Sequence, residues 1–257
     1  MSEVLTEVDG GVLTITINRP QVLNAFNADV HRRLDGLWDE FEADRGLRVA
    51  IVTGAGERAF SAGSDLKYYA GVDEITLPQN GYGGLSHRRL KKPVIAAVNG
   101  LAFGGGFEFA ICCDLIIAAE HAQFALSEVR IGAAALGGGI PRLCRKIPYN
   151  IALGLMLTAR RLNAPEGARL GLVNEVVPAD RLLETAKVWA RDIVRGAPIP
   201  VEVTKELAED TLFGDTDFDA LVGHTADARN QRIFGTEDFR EGLRAFAAKR
   251  EPVWSGK

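Results

Sequence analysis

Short apolar stretches separated by glycine turns recur through the N-terminal and central parts of the chain. VLTITIN, residues 12 to 18, alternates apolar and polar side chains and predicts a half-buried strand after a hairpin turn at Asp9-Gly10-Gly11. PVIAAV, residues 93 to 98, is a continuous apolar run with β-branched residues and predicts a buried strand. Further strands are predicted at VAIVTGAG (49–56), LIIAA (115–119), AQFAL (122–126) and VNEVV (173–177).

Several of the segments between these strands have apolar residues at helical spacing. Asn27 is placed to cap a helix with one apolar face, formed by Val30, Leu34, Leu37, Trp38 and Phe41. His31 lies beside that face, and we predict a surface histidine. Asp180 is placed to cap a later helix, whose apolar face contains Leu182, Leu183, Ala186, Trp189, Ala190 and Ile193.

The chain changes character after Gly196-Ala197-Pro198. From there to Lys257 the sequence is helical and charged, with no strand signal. Repeated units of strand, glycine and helix followed by a helical tail predict an α/β fold. We therefore divide the chain into a body, residues 1–195, and a C-terminal helical region, residues 196–257.

The body contains an acid in unusually apolar surroundings. Between Pro93 and Ala119 the only charged residues are Glu108 and Asp114, and a buried carboxylate must be hydrogen-bonded, carry a proton or be held for chemistry. GGFEFAICC predicts a helix that is apolar on nearly all sides, with Glu108 about one turn inside its N-terminus. Free backbone N–H groups at that end suit a developing oxyanion, so N–H donors and a carboxylate would face one space. The alternative is that Glu108 only complements the helix dipole.

Three other segments resemble known motifs but lack the neighbouring residues that those motifs require. Gly54 to Ala59 fits the dinucleotide fingerprint G-x-G-x-x-A, but the small residues that follow do not begin the required helix. Ser64 lacks the G-x-S-x-G setting of a nucleophile. Gly137-Gly138-Gly139 precedes another helix and is placed to wall the site, although the Lys-Ser/Thr of a phosphate loop is missing.

Composition narrows the functional classes. Thirty basic and thirty-four acidic residues give a net charge of -4, and the lack of a basic run argues against nucleic-acid partners. No apolar segment is long enough for a membrane span, and the N-terminus does not resemble a signal peptide, so we expect a cytoplasmic protein. Cys112, Cys113 and Cys144 are predicted to be reduced thiols, and we expect no metal site.

Three segments together resemble the signature of the crotonase, or enoyl-CoA hydratase/isomerase, superfamily. They are FSAGSDL (60–66), KPVIAAVNGLAFGGGFEFAICCD (92–114) and FALSEVRIG (124–132). The similarity extends over essentially the whole chain, and the AFGGGFE and AFAAKREPVWSGK segments look most like the carnitinyl-CoA dehydratase branch. The resemblance implies a spiral of ββα units whose C-terminal helices pack in trimers or dimers of trimers.

The resemblance also implies roles for individual residues. Glu108 and Glu128 match the two glutamates that act in hydratases of this family. The backbone N–H groups of Ser64 and Gly105 match the two oxyanion donors, so that the serine side chain is not required. The segment that lines the coenzyme A thioester is matched by Ala62, Asp65, Leu66 and Lys67. For Lys67 a solvated surface position is the alternative, and Ser127 stands where proline is common.

The implied activity is reversible hydration of a 2-enoyl-CoA thioester, with coenzyme A as part of the substrate and no further cofactor. Carnitinyl-CoA dehydration and Δ3,Δ2-enoyl-CoA isomerisation are alternatives within the family. An isomerase needs only one carboxylate, so the presence of both glutamates argues against it. An inactive coenzyme A-binding or RNA-associated homologue is the alternative of another class, and the intact acids and glycines oppose it.

Overall fold

A computed structural model describes residues 2–71, 77–214 and 229–257 of the chain. Its strands form two sheets. The six-stranded sheet has the order β1 (Val4–Asp9), β2 (Val12–Ile17), β3 (Val49–Gly54), β5 (Val94–Val98), β7 (Leu115–Ala119) and β10 (Glu175–Val177). The four-stranded sheet has the order β4 (Ala59–Ser61), β6 (Leu101–Phe103), β8 (Gln123–Ala125) and β9 (Leu162–Asn163).

The helices of the body surround these sheets, and those of the C-terminal region follow them. They are α1 (Ala28–Ala43), α2 (Leu66–Tyr69), α3 (Gly105–Cys112), α4 (Gly139–Lys146), α5 (Tyr149–Thr158), α6 (Ala164–Arg169), α7 (Leu182–Val194), α8 (Pro198–Phe213), α9 (Asn230–Phe234) and α10 (Glu237–Ala248). Short 3-10 turns cover Pro20–Val22, Tyr82–Gly84, Glu128–Ile131 and Ala179–Arg181.

The chain passes repeatedly from the first sheet to the second. β3, β5 and β7 are parallel neighbours in the six-stranded sheet, and β4, β6 and β8, which follow them, are parallel neighbours in the other. Each passage therefore adds one strand to each sheet. This repeated pair of strands is the ββ part of the predicted ββα unit, and α3 completes the unit that carries Glu108.

Both faces of the six-stranded sheet are covered. Alternate side chains such as Val49, Ile51 and Ile95 pack against α7, while their neighbours face a larger core that includes α1 and α3. Thr14 of β2 is buried for this reason, so the prediction of a half-buried strand at residues 12 to 18 is wrong. The hairpin that joins β1 to β2 is confirmed.

His31 corrects a second prediction. Asn27 caps α1 as expected, accepting a hydrogen bond from the Val30 N–H, and the predicted apolar face is buried. His31, however, is buried rather than on the surface, because its Nδ1 accepts a 3.0 Å hydrogen bond from the Gly83 N–H. The ring also packs against the rings of Phe26 and Tyr82. Burial lowers the pKa of His31 to about 4, so the ring is neutral and suited to accept that bond.

The helix after Ala179–Arg181 begins differently from the prediction. Asp180 lies inside that 3-10 turn, and α7 starts at Leu182 with no side-chain cap. Beyond α7, the part of the chain that the structure describes is helical and contains no strand, as expected. The C-terminus returns to α10, where Asp238 accepts hydrogen bonds from the N–H groups of Ser255 and Gly256. The division of the chain at residue 195 stays a prediction.

Candidate active site

Glu108 lies in the first turn of α3, at the point where β6 gives way to the helix. Its side chain is only 4% exposed, and Oε1 accepts a 2.9 Å hydrogen bond from the Gly139 N–H at the start of α4. A methyl group on Gly137 would lie 2.8 Å from Oε2, and one on Gly139 would lie 2.8 Å from Oε1. The glycine run before α4 therefore makes room for the carboxylate, which explains its position at the wall of the site.

The electrostatic environment of Glu108 favours its protonated form. Burial raises its pKa to about 7, and the nearby Glu128 charge adds to the increase, while the hydrogen bonds from Gly139 and Gly137 and the Arg142 charge oppose it. A carboxyl group with a pKa near neutrality can both accept and release a proton under physiological conditions. Glu108 is thus more than a complement to the helix dipole.

Glu128 approaches the same helix end from the other side. It opens the 3-10 turn that follows β8, directly after Ser127. Its Oε1 would stand 3.4 Å from a methyl group on Gly104, the residue that precedes α3. Both carboxylate oxygens are buried and have no hydrogen-bond partner among the described residues, and burial raises the pKa of Glu128. An unpartnered buried carboxyl is costly, which indicates a functional rather than a structural group.

Two free backbone donors lie beside these acids. The Ser64 and Gly105 N–H groups make no hydrogen bond within the part of the chain that the structure describes. Gly63 brings the two segments together: with φ of +89°, its Cα packs so closely that a methyl group would lie 2.9 Å from the Gly105 nitrogen. The Phe26 N–H donates to the Gly63 carbonyl and the Asp65 N–H to the Phe26 carbonyl, which fixes the Ser64 segment on both sides.

The predicted thioester-lining segment is held largely by its own contacts. Asp65 forms a 2.9 Å ion pair with Arg19 and caps α2 through the Tyr68 N–H, so its carboxylate already has a structural function. Ala62 is half-buried, and its N–H donates to the Leu23 carbonyl. Leu66 and Lys67 are exposed on α2. The four residues therefore lead from the two N–H donors to the surface, and contact with substrate stays a prediction.

The sequence alone indicates a glycine-rich loop around Tyr82 that borders the acyl pocket, but it favours plain packing for the Tyr82 side chain. The hydrogen bond from Gly83 to His31 and a 2.9 Å bond from the Trp38 indole N–H to the Gly83 carbonyl attach this turn to α1. Tyr82 then reaches the helix N-terminus, where a methyl group on Gly105 would lie 2.6 Å from its Oη. The glycines around Tyr82 signalled an unusual turn, but not the direction in which its side chain points.

A separate cavity lies at the opposite end of α3, between the body and α8. Its volume is about 740 Å³, and its lining includes Cys112, Arg142, Lys146 and Lys205 but neither Glu108 nor Glu128. It is not the candidate reaction space. Within the described ranges, no three His, Cys, Asp or Glu side chains are grouped closely enough to hold a metal ion. No helix in the same ranges is both long enough and apolar enough to cross a bilayer.

Comparison with known proteins agrees with the resemblance noted in the sequence. A family model described as enoyl-CoA hydratase/isomerase matches residues 7–257. The carnitinyl-CoA dehydratase of Salmonella arizonae is 41% identical over 252 residues, which cover 96% of each chain. The enoyl-CoA hydratase of Mycobacterium tuberculosis H37Rv superposes with a TM-score of 0.93 at 39% identity, over 99% of both chains. The enoyl-CoA hydratase of Bacillus anthracis gives 0.91 at 33% identity over 100% of both chains.

Proposed function

Because the chain belongs to the enoyl-CoA hydratase/isomerase family, we propose that it catalyses the reversible addition of water to the C2=C3 bond of a 2-enoyl-CoA thioester. The family assignment confirms the crotonase resemblance and the α/β spiral predicted from the sequence. One observation carries the finer proposal. Two buried carboxyl groups, Glu108 and Glu128, lie at the same helix end as two free N–H donors.

The N–H donors act on the thioester carbonyl. When a nucleophile adds at C3 of an enoyl thioester, the electron pair of the C2=C3 bond moves toward the carbonyl and its oxygen becomes an enolate oxygen. The Ser64 and Gly105 N–H groups would hold that oxygen in a water-poor site. In comparable sites each such donor contributes about 3 to 4 kcal/mol to the stability of the transition state.

The two glutamates orient one water molecule, and each takes part in one of the two proton transfers of the reaction. Glu108, as the carboxylate, removes a proton from the water while the hydroxide oxygen bonds to C3. Glu128, as the carboxylic acid, gives its proton to C2 when the enolate collapses. The pair begins and ends with one proton in total, so the product is the 3-hydroxyacyl thioester and no redox equivalent is needed. The family resemblance favours this assignment of base and acid, and the reverse reaction exchanges the two roles.

Two other reactions within the family remain candidates. Dehydration of carnitinyl-CoA is favoured by the relatives that bear that name at 39% to 41% identity, and it would use the same two acids in the opposite direction. Isomerisation of a 3-enoyl thioester requires one proton carrier and leaves the second buried acid without a function. An inactive homologue would have no reason to keep two unsatisfied carboxylate oxygens buried.

We propose that the chain assembles as a homotrimer or a dimer of trimers. Large apolar side chains are exposed on α10, where Leu243 is 57% and Phe246 is 86% exposed. Exposed apolar side chains of this size favour an interface between subunits. Light scattering on the purified protein would measure the assembly mass directly. Cytoplasmic localisation and the lack of nucleic-acid partners stay predictions.

A panel of thioesters tests the reaction assignment. The assay would follow the ultraviolet absorption of the conjugated enoyl thioester. The substrates would be crotonyl-CoA, longer 2-enoyl-CoAs, a 3-enoyl-CoA and crotonobetainyl-CoA. We expect hydration of at least one 2-enoyl-CoA. Preference for crotonobetainyl-CoA would move the assignment to the carnitinyl branch, while activity restricted to the 3-enoyl substrate would make the protein an isomerase.

The pH profile provides an independent prediction. Glu108 must be ionised to accept a proton from water, and burial raises its pKa to about 7. We therefore expect kcat/KM to increase as the pH rises toward neutrality and to fall again when the pair loses its second proton. The two limbs describe the coupled pair rather than one residue each. A profile with no ionisation near neutrality on its acidic side would contradict Glu108 as the base.

A further inference from the structure

Tyr82 is a polar side chain at the candidate site that has no function in the proposed mechanism. It is 4% exposed, and its Oη has no hydrogen-bond partner among the residues that the structure describes. Leaving a buried phenol hydroxyl unbonded costs about 1 to 3 kcal/mol, so such a group calls for an explanation.

The backbone around Tyr82 is firmly held. Its own N–H donates a 2.8 Å hydrogen bond to Ser86 Oγ. The next residue, Gly83, is bonded through its N–H to His31 and through its carbonyl to Trp38. These bonds connect the turn to the long helix α1, so the direction of the Tyr82 side chain is fixed before substrate binds.

The ring is fixed as well. Phe26 stacks on it with a centroid distance of 5.2 Å and an interplanar angle of 18°, and the His31 ring meets it edge-on at 4.6 Å. The ring therefore extends from Gly137, where a methyl group would lie 3.2 Å from Tyr82 Cβ, to Gly105, where one would lie 2.6 Å from Oη. The hydroxyl is presented to the start of α3.

The neighbours of the hydroxyl identify the space that it faces. Burial raises the pKa of Tyr82 above its ordinary range, and Ser64 partly opposes this, although its side chain does not complete a hydrogen bond with Oη. The charges of Glu108, Tyr69 and Glu128 raise the pKa further. The phenol thus stays protonated and can donate a hydrogen bond.

We infer that Tyr82 Oη donates a third hydrogen bond to the thioester oxygen, beside the Ser64 and Gly105 N–H groups. Oη lies against Gly105 and near Ser64, the two residues that carry the free donors, which favours this oxygen over the water held by the glutamates. A neutral phenol is an effective donor to an enolate oxygen, because the hydrogen bond strengthens as negative charge develops there. The inference rests on the proposed function.

Substitution Tyr82→Phe removes the hydroxyl and keeps the ring stacked on Phe26. For crotonyl-CoA we expect kcat to fall by about 10- to 100-fold with little change in KM, because the bond is strongest in the transition state. Tyr149→Phe on α5, where the side chain is 60% exposed, removes a remote phenol hydroxyl and should leave kcat unchanged. Equal melting temperatures for the two variants and the wild type would show that the fold is intact.

A second readout is specific to charge on the oxygen. Acetoacetyl-CoA loses a C2 proton to form an enolate with its own ultraviolet absorption, and a site that stabilises the enolate lowers the pH at which the bound thioester ionises. We expect Tyr82→Phe to raise that apparent pKa by about one unit, which corresponds to a tenfold loss of stabilisation. A ring that only lines the acyl pocket would not produce this shift.

The outcomes separate this inference from the hydratase assignment. If the wild type does not hydrate any enoyl-CoA, the proposed function fails, but the acetoacetyl-CoA titration still measures the Tyr82 hydrogen bond. If Tyr82→Phe matches the wild type in kcat and in the ionisation of bound acetoacetyl-CoA, the third donor is wrong. A change in KM alone, or the lack of any bound enolate in the wild type, would also overturn it.

Discussion

Substitution of either glutamate by glutamine is expected to reduce hydration of crotonyl-CoA by several orders of magnitude. Glutamine keeps the size of the side chain but neither accepts a proton from water nor gives one to C2. In hydration Glu108 and Glu128 orient the same water, and each carries out one of the two proton transfers. Each single variant therefore lacks one of these transfers. Initial rates under saturating substrate would measure the loss.

The double variant distinguishes joint from separate action. Because the two acids act as a unit, the combined loss in Glu108→Gln/Glu128→Gln should be far smaller than the product of the single losses. In an isomerase one acid carries the proton and the other is dispensable. A single variant that hydrates crotonyl-CoA at nearly the wild-type rate would therefore exclude the two-acid mechanism.

The melting temperature of the Glu108→Gln variant should depend on pH differently from that of the wild type. The pKa of Glu108 is raised from its ordinary value of 4.5 to about 7 in the folded chain, so the folded state binds the proton more tightly than the unfolded state. Wild-type stability should then decrease as the pH rises through this interval and stay lower above it. Glutamine does not ionise, so Glu108→Gln should melt at a higher temperature than the wild type at about pH 8, with a smaller difference at about pH 5. A less stable variant at the higher pH would contradict the burial of an ionised Glu108.

Gly63→Ala is expected to have the second largest effect. Gly63 has a φ of +89°, and a methyl group there would lie 2.8 Å from the Phe103 carbonyl oxygen and 2.9 Å from the Gly105 nitrogen. Both neighbours are backbone atoms and cannot turn aside as a side chain would. The Ser64 segment must move away from α3, and the loss of one aligned donor should reduce kcat by about 100- to 1,000-fold. Crotonyl-CoA kinetics would measure this loss.

Ser64→Ala is the matched control for that variant. It changes the adjacent side chain and leaves the N–H donor in place, so turnover should be nearly unchanged. A well-folded Gly63→Ala protein with activity within about tenfold of the wild type would contradict the assignment of the two N–H groups as oxyanion donors. A hundredfold loss in Ser64→Ala would instead indicate that the serine hydroxyl takes part in the chemistry.

Local pattern was sufficient for most strands and helices, because a buried element needs apolar residues at its own period. The errors arose where tertiary context decided exposure. Thr14 is polar, yet β2 is covered on both faces, and a strand in that position buries its polar side chains as well. His31 is polar too, but the Gly83 N–H supplies a hydrogen bond that makes its burial possible. Neither the elements that cover Thr14 nor the Gly83 N–H that bonds His31 lies near these residues in the sequence.

The candidate site likewise contains residues that the sequence identifies and contacts that only the tertiary structure shows. Glu108 could be singled out from its apolar surroundings, whereas Glu128 reads in isolation as an ordinary loop acid and is identified only through the family resemblance. The Gly139 N–H that bonds Glu108 comes from a helix 31 positions further along the chain, and spacing alone does not specify such a contact. Tyr82 reaches Gly105 only because α1 holds its turn through His31 and Trp38. Contacts of this kind depend on the packing of several elements and cannot be derived from one segment.

The central claim is that the elements of water add across the C2=C3 bond of an enoyl thioester, with the water oxygen on C3 and a proton that originates in solvent on C2. Incubation of crotonyl-CoA with the wild type in water containing both ¹⁸O and deuterium, followed by mass spectrometry of the products, tests it directly. Hydration predicts a 3-hydroxybutyryl thioester with one ¹⁸O on C3 and one deuterium on C2. Deuterium incorporation without ¹⁸O, or migration of the double bond without a hydroxylated product, would contradict the claim and indicate an isomerase.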